Sequence, residues 1–254
     1  MTIASVGTMG SVQNKGSNQA STALTTATNA AAQNSLVVVM IAVDNYGTTD
    51  GDLSEVTGVE SSDGVNKWTK AVEFTNGQGT AQTGATLSIW WSFIKKAMPT
   101  SSTITASFTQ QNSRDAVAMT AWNFSVAAKY HPIITGTPAG LANDAADPGS
   151  LNVTTGNISC LRVRGIATEQ STATALTQTA SWTLFTQNGT TGSTGTGNMW
   201  VRGEFIINTS TGAASDPTLF SADHASAYAC WTEAADFSLI WDPNKDFMNN
   251  FMTR

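Results

Sequence analysis

The chain has 254 residues and a formal net charge of −6, with 12% charged residues, eight tryptophans and ten phenylalanines. That aromatic content excludes a disordered chain, and the length allows one large β domain or two small ones. The acidic balance and the lack of a Lys/Arg cluster exclude nucleic acid and anionic membrane surfaces as partners; the densest basic spots are Lys95-Lys96 and Arg162-x-Arg164.

In chain order, MTIASVGTMGSVQNKG at the N-terminus has no basic stretch leading into an apolar one, so no signal peptide is expected. No apolar run approaches the length of a membrane span. TALTTATNAAAQ (22–33) is alanine-containing but has no amphipathic stripe, and is read as strand and loop. SLVVVMIAV (35–43) is a continuous β-branched run that fits a strand buried on both faces. The loop DNYGTTDGDLSE (44–55) gathers Asp44, Asp50, Asp52 and Glu55, a weak calcium candidate whose spacing does not match an EF-hand. A solvated hairpin loop is the favoured reading of these acids.

NKWTKAVEF (66–74), LSIWWSFI (87–94), TITASF (103–108) and DAVAMTAWNF (115–124) follow as strands, punctuated by Gly, Asn, Pro and Ser. Because successive side chains of a strand alternate between faces, Leu87, Ile89, Trp91 and Phe93 form the core side of the second of these. Trp90 sits with Ser88 and Ser92 on the other. SVAAKYHPIITGTPAGLANDAADPGS (125–150) reads as a linker or crossover. SCLRVRGIAT (159–168), SWTLF (181–185), MWVRGEFII (199–207) and SAYACWTEA (226–234) supply the later strands. In MWVRGEFII, Trp200 shares its face with Arg202 and Glu204, again the polar side. The tail WDPNKDFMNNFMTR carries a helix signal: Asp242 as cap, Pro243 in the first turn, and Phe247/Phe251 and Met248/Met252 four apart. It predicts a short helical tail that either folds back on its own domain or docks on a neighbouring subunit.

The halves share an order of landmarks. Trp68-Thr69 recurs as Trp182-Thr183, Trp90 matches Trp200, Phe108 matches Phe220, and Trp122 matches Trp231. The expected organisation is a first β-sandwich half (1–125), a linker (126–150), a second half (151–241) and a tail (242–254), an all-β antiparallel jelly-roll or sandwich. Trp90 and Trp200, outward at matched positions, are either covered by a loop or N-terminal segment, or serve with Phe247 and Phe251 as an interface or ligand platform.

The search for chemistry yields little. There is no Gly-x-Ser-x-Gly elbow, His-Glu-x-x-His pair or P-loop. His131 and His224 are the two histidines, and Asp115 and Glu204 read as solvated-face acids. Cys160 and Cys230 lie seventy residues apart, either bridged or buried as thiols, with no spacing for zinc. No catalytic residue, cofactor or metal is expected.

The run SLVVVMIAVDN, then SSDGVNKWTKAVEF, LSIWWSFI, ITASF and DAVAMTAWNF resembles bacteriophage structural proteins of β-jelly-roll type. In those, an apolar strand ending in Asp-Asn precedes an Asp-x-x-Asn-x-Trp/Tyr-Thr turn, here Asp63-Gly64-Val65-Asn66-Lys67-Trp68-Thr69. The similarity covers roughly residues 35–125. It implies a virion surface role without enzymatic activity: capsid decoration, spike, or head or tail fibre. The subunit would associate with itself, as a trimer, and with other capsid or tail proteins. A carbohydrate-binding or host-receptor module that stacks a surface glycan on Trp90 and Trp200 is the alternative, and a polysaccharide hydrolase a minor one.

Overall fold

The computed structural model describes residues 3–16, 19–45, 48–77, 84–109, 116–128, 130–143, 150–151, 159–169, 181–191, 197–208, 214–215 and 224–235. Within them the chain is all-β and antiparallel, and no helix is present, so none is long and apolar enough to cross a membrane. The tail expected to be helical, with Phe247 and Phe251, lies outside the described residues, as do Asp115 and Phe220.

The first half carries β1 (Ala4–Lys15), β2 (Ser21–Thr25), β3 (Ser35–Asp44), β4 (Val56–Ser61), β5 (Thr69–Asn76), β6 (Ala85–Phe93), β7 (Thr103–Phe108) and β8 (Ala116–Ser125). The stretch read as a linker or crossover contains β9 (Tyr130–Ile134) and β10 (Ala139–Asn143), which follow β8 and pair into the sheet formed by the later strands. After it come β11 (Ser150–Leu151), β12 (Cys160–Glu169), β13 (Thr183–Leu184), β14 (Asn188–Gly189), β15 (Met199–Asn208), β16 (Ala214–Ser215) and β17 (His224–Ala235).

Three layers stack. The middle sheet has the order β1-β8-β3-β6-β5. One of its faces packs Leu36, Val38, Met40, Leu87, Ile89 and Phe124 against Leu161, Val163, Val201, Phe205, Ala227 and Trp231 of the sheet β10-β17-β12-β15-β13. Its other face packs Val37, Val39, Ile41, Trp90 and Met119 against Leu24, Val56, Ile104 and Phe108 of the small sheet β2-β7-β4. This is why β3 is apolar at successive positions: every one of its residues is buried. Each such Leu, Ile or Val contributes about 1.5–3 kcal/mol by leaving water. Bulges at Gly7 and Gly10, at φ 140° and 146°, bend the outer strand β1 toward the small sheet. There Thr28 donates its N–H to the Met9 carbonyl at 3.2 Å and Asn29 Nδ2 donates to the Thr8 carbonyl at 2.6 Å.

The two large sheets repeat one pattern. β12 lies between β15 and β17 as β3 lies between β6 and β8, while β13 and β10 flank as β5 and β1 do. The registers agree residue by residue. Thr69 faces Trp91, and Thr183 faces Phe205. Leu36 faces Phe93 and Phe124, and Leu161 faces Ile207 and Trp231. Even the short pair β11–β16, with Ser150 opposite Ser215, repeats β2–β7, with Ser21 opposite Ser107. Equivalent faces meet: Met40 of β3 lies against Gly165, which holds the equivalent place in β12 and sits opposite Gly203 and Ala227. A Cβ at Gly165 would come within 2.8 Å of Met40 Sδ, so glycine there lets the sheets approach. The chain is arranged like an isologous dimer drawn into one polypeptide.

This register revises two of the sequence matches. Trp68 and Trp182 are equivalent, as read. Trp90 corresponds to Glu204 and Trp231 to Phe124, because the folding pattern preserves which face a residue takes, not its identity.

Candidate functional site

The turn that carries the resemblance is built as a clasp. Asp63 Oδ1 accepts the N–H groups of Val65 at 2.6 Å and Asn66 at 2.9 Å, and Asp63 Oδ2 accepts from Asn66 Nδ2 at 2.7 Å. Asn66 Oδ1 then accepts the N–H groups of Lys95 and Lys96, at 2.8 and 3.1 Å, while Nδ2 donates to the Lys96 carbonyl at 2.9 Å. Gly64 adopts φ 65°, the left-handed turn conformation that glycine tolerates. Two short polar side chains thus fix the turn after β4 to the loop after β6. Burial works to raise the Asp63 carboxyl, but the N–H groups of Asn66 and Val65 outweigh it and hold it below its ordinary 3.8. Asn66→Ala removes three partly buried bonds to the 95–96 loop and should cost about 2–4 kcal/mol, read from the urea midpoint.

The acidic loop is likewise occupied by structure. Asp50 accepts the Gly77 N–H at 3.0 Å, and Asp52 accepts the Ser54 N–H and pairs with Lys70 at 2.9 Å. Asp44 and Glu55 are buried. Glu73, on β5, accepts the N–H groups of Glu55 at 2.6 Å and Val56 at 3.2 Å. The calcium candidates Asp44, Asp50 and Asp52 are not gathered around one point, and no metal-holding group of three His, Cys, Asp or Glu occurs among the described residues.

Burial holds the Glu73 carboxyl above its ordinary 4.5, against Lys70 and the backbone N–H groups, which pull it down. A folded pKa above the unfolded one gives stability that is full below the unfolded value and is lost as pH rises through the folded value. The advantage of wild type over Glu73→Gln should therefore shrink from pH 4 to pH 7 in a series of denaturation curves. Asp63 runs the other way: its contribution is present above its ordinary value and is lost as pH falls through the depressed one.

The tryptophans resolve differently from their sequence reading. Trp91 packs into the inter-sheet core, its ring 6.3 Å from that of Trp231. Trp90 does take the face with Ser88 and Ser92, but the small sheet covers that face. The indole is 8% exposed and donates to Ser88 Oγ at 2.8 Å. It offers no open platform to a sugar or subunit. Trp200 is half-buried beneath Gly189, where any Cβ would overlap its ring, and the Arg202 guanidinium lies 5.6 Å from its centroid.

The least expected feature is the far face of the second large sheet. Arg162, Arg164, Arg202 and Glu204 are between 0% and 3% exposed, together with His224, Ser226, Tyr228, Cys160 and Cys230. Glu204 was read as a solvated acid. Instead it is buried, and Arg164 Nε donates to Glu204 Oε1 at 2.6 Å, with Arg164 Nη2 also on that oxygen. The Arg164 guanidinium stacks 4.2 Å from the centroid of Trp182. Burial lowers the Arg202 guanidinium to about 10. Cys160 and Cys230 are thiols and not a disulfide, on one face of neighbouring strands. Cys230 Sγ donates to Tyr228 Oη at 3.3 Å. The hydrogen bond to Cys160, then burial, pushes the Cys230 thiol far up, which keeps it protonated and unreactive. His131 lies half-buried in β9. The sequence signal for this face was the run of polar side chains at alternate positions in SCLRVRGIAT and MWVRGEFII, which alternation alone cannot tell from a solvated face.

Comparison with protein-family models, with curated proteins and with solved structures found no match.

Proposed function

We propose that the chain is a structural subunit of a bacteriophage virion surface, built from two jelly-roll-type sandwich halves and associating with itself, as a trimer, on a capsid or tail. The observation that carries this reading is the Asp63–Asn66 clasp. The motif that carries the resemblance to phage structural proteins ties two loops together, its side chains bonded to each other and to the backbone. The large apolar groups left in water support it as well. Besides Val65 in the clasp turn, these are Val6 on β1, and Tyr130 and Ile133 on β9, at 50%, 42% and 39% exposed. These strands are flanking strands of the two large sheets, where another subunit adds without disturbing a core.

The glycan-platform reading loses its first support in the closed surroundings of Trp90. The direct experiment is immunoblotting of gradient-purified particles, paired with sedimentation of the isolated chain. Presence at a fixed copy number per particle and concentration-dependent trimerisation are expected. Absence from particles, together with a monomer at high concentration, would end the proposal.

A further inference from the structure

The corner where β1 meets the second half seats an amine on an amide. Lys15, the last residue of β1, donates from Nζ to Asn198 Oδ1 at 2.6 Å and to the Gly197 carbonyl at 3.0 Å. Lysine and asparagine lie 183 residues apart in sequence. Asn198 is 0% exposed, while Lys15 reaches it from an exposed position. The amide oxygen has a second donor. Met199 donates its N–H to Thr190 Oγ1 at 2.9 Å, which leaves the Thr190 hydroxyl proton for Asn198 Oδ1, 3.3 Å away. Gly197 is anchored in turn by its N–H on Glu169 Oε1. With the residues on both sides of Asn198 held, its amide carbon, one bond beyond Oδ1, stays within reach of Nζ. The equivalent corner of the repeat, where β5 meets β17, is closed by Asn76 Nδ2 donating to the His224 carbonyl at 3.1 Å. A neutral hydrogen bond suffices there, so the architecture does not itself require an amine at Lys15.

We infer that Lys15 and Asn198 join in an intramolecular isopeptide bond, formed by the folded chain on itself. Lys15 Nζ, as the free amine after giving one proton to water at its exposed side, attacks Asn198 Cγ. The Thr190 hydroxyl stabilises the negative charge that gathers on Oδ1. The Cγ–Nδ2 bond then breaks, and Nδ2 takes a proton from the attacking nitrogen and departs as ammonia. One Nζ–Cγ amide forms, one Cγ–Nδ2 amide is lost, and no electrons change hands, so neither an oxidant nor a cofactor takes part. Ammonia escapes to solvent, which makes the step irreversible. The bond stitches β1, the outer strand of the middle sheet, to the segment leading into β15 of the second large sheet. The N-terminal strand can then no longer peel away from the second half. The cross-link goes beyond the structural role proposed above and does not depend on it.

The test uses the full chain, purified and then incubated at mildly alkaline pH, where more of the amine is free to attack. Intact mass is measured under denaturing conditions, and a tryptic digest is searched for a branched peptide. The wild type should be lighter than its sequence by one ammonia. Trypsin should fail to cut after Lys15 and should release the Lys15 and Asn198 segments as one branched peptide. The closed loop should also give a faster band on a denaturing gel. Lys15→Arg keeps the charge and the hydrogen bonds but offers no nucleophilic amine. It should show the full sequence mass, the slower band and a lowered melting temperature. Asn198→Ala should likewise show the full mass for its sequence. A wild type that keeps its full mass after incubation overturns the bond. So does an ammonia deficit that persists in Lys15→Arg, since ring closure at an Asn-Gly step such as Asn188-Gly189 would then account for it. If Asn198→Ala does not fold, the comparison of wild type with Lys15→Arg decides, because Lys15 is exposed and its replacement leaves the core intact.

Discussion

Trp231→Ala and Phe124→Ala are each expected to cost about 3–5 kcal/mol of unfolding free energy, and by similar amounts. The reason is the repeat. Trp231 of β17 is the register equivalent of Phe124 in β8, and Trp91 of β6 that of Phe205 in β15. Each pair meets edge to face across the two large sheets: Trp91 and Trp231 with centroids 6.3 Å apart at 66°, Phe124 and Phe205 at 5.0 Å and 89°. They are the same contact made twice, once on each side of the Met40–Gly165 approach. Both Trp231 and Phe124 are 0% exposed, so truncation opens a cavity that close-packed β-sheets cannot collapse. The pairs share no ring, so the losses should add. A combined loss of about 6–10 kcal/mol approaches the whole stability of an ordinary domain. The double variant should therefore fail to give a cooperative urea transition, while each single variant keeps one at a lowered midpoint. A single-variant loss under about 1 kcal/mol would show that the two sheets do not depend on this docking.

How much of this was legible beforehand follows from which physical signal each feature leaves in a sequence. The strand β3 announced its burial on both faces through an unbroken run of β-branched residues, and the structure buries every residue of it. The sidedness of β6 was readable too: Leu87, Ile89 and Trp91 do face one core and Ser88 and Trp90 the other side. What alternation could not reveal is that the second side is also an interior. A sheet in the middle of a stack has two buried faces, and a tryptophan between serines reads as outward until the covering sheet is known.

The same ambiguity hid the arginine face, where polar side chains at alternate positions mimic a solvated surface. The repeat was visible through Trp68 and Trp182. The other matched tryptophans misled, because sandwich packing constrains volume and face more tightly than residue type. The polar clasp at Asp63–Asn66 was legible as a motif, yet only the geometry assigns its atoms to backbone N–H groups.

Glu204→Ala should destabilise the chain by about 3–5 kcal/mol, the cost of leaving a buried guanidinium without its carboxylate. Arg164 and Glu204 are directly opposed across β12 and β15 and are 2% and 1% exposed, so water cannot take the place of the lost oxygen. The equivalent cross-strand pair in the first half is Val39 and Trp90, with Trp68 packed nearby where Trp182 stacks on Arg164. That equivalence supplies its own control. The double substitution Arg164→Val/Glu204→Trp transplants the apolar solution into the charged half and should restore most of the stability that Glu204→Ala removes, because an apolar pair of fitting shape avoids the desolvation of two ions. Chemical denaturation of the three proteins at neutral pH separates the possibilities. If Glu204→Ala is nearly silent, the pair carries no structural weight. If the double variant is worse than the single one, the two faces are not interchangeable and the residue equivalence between the halves fails at its most informative position.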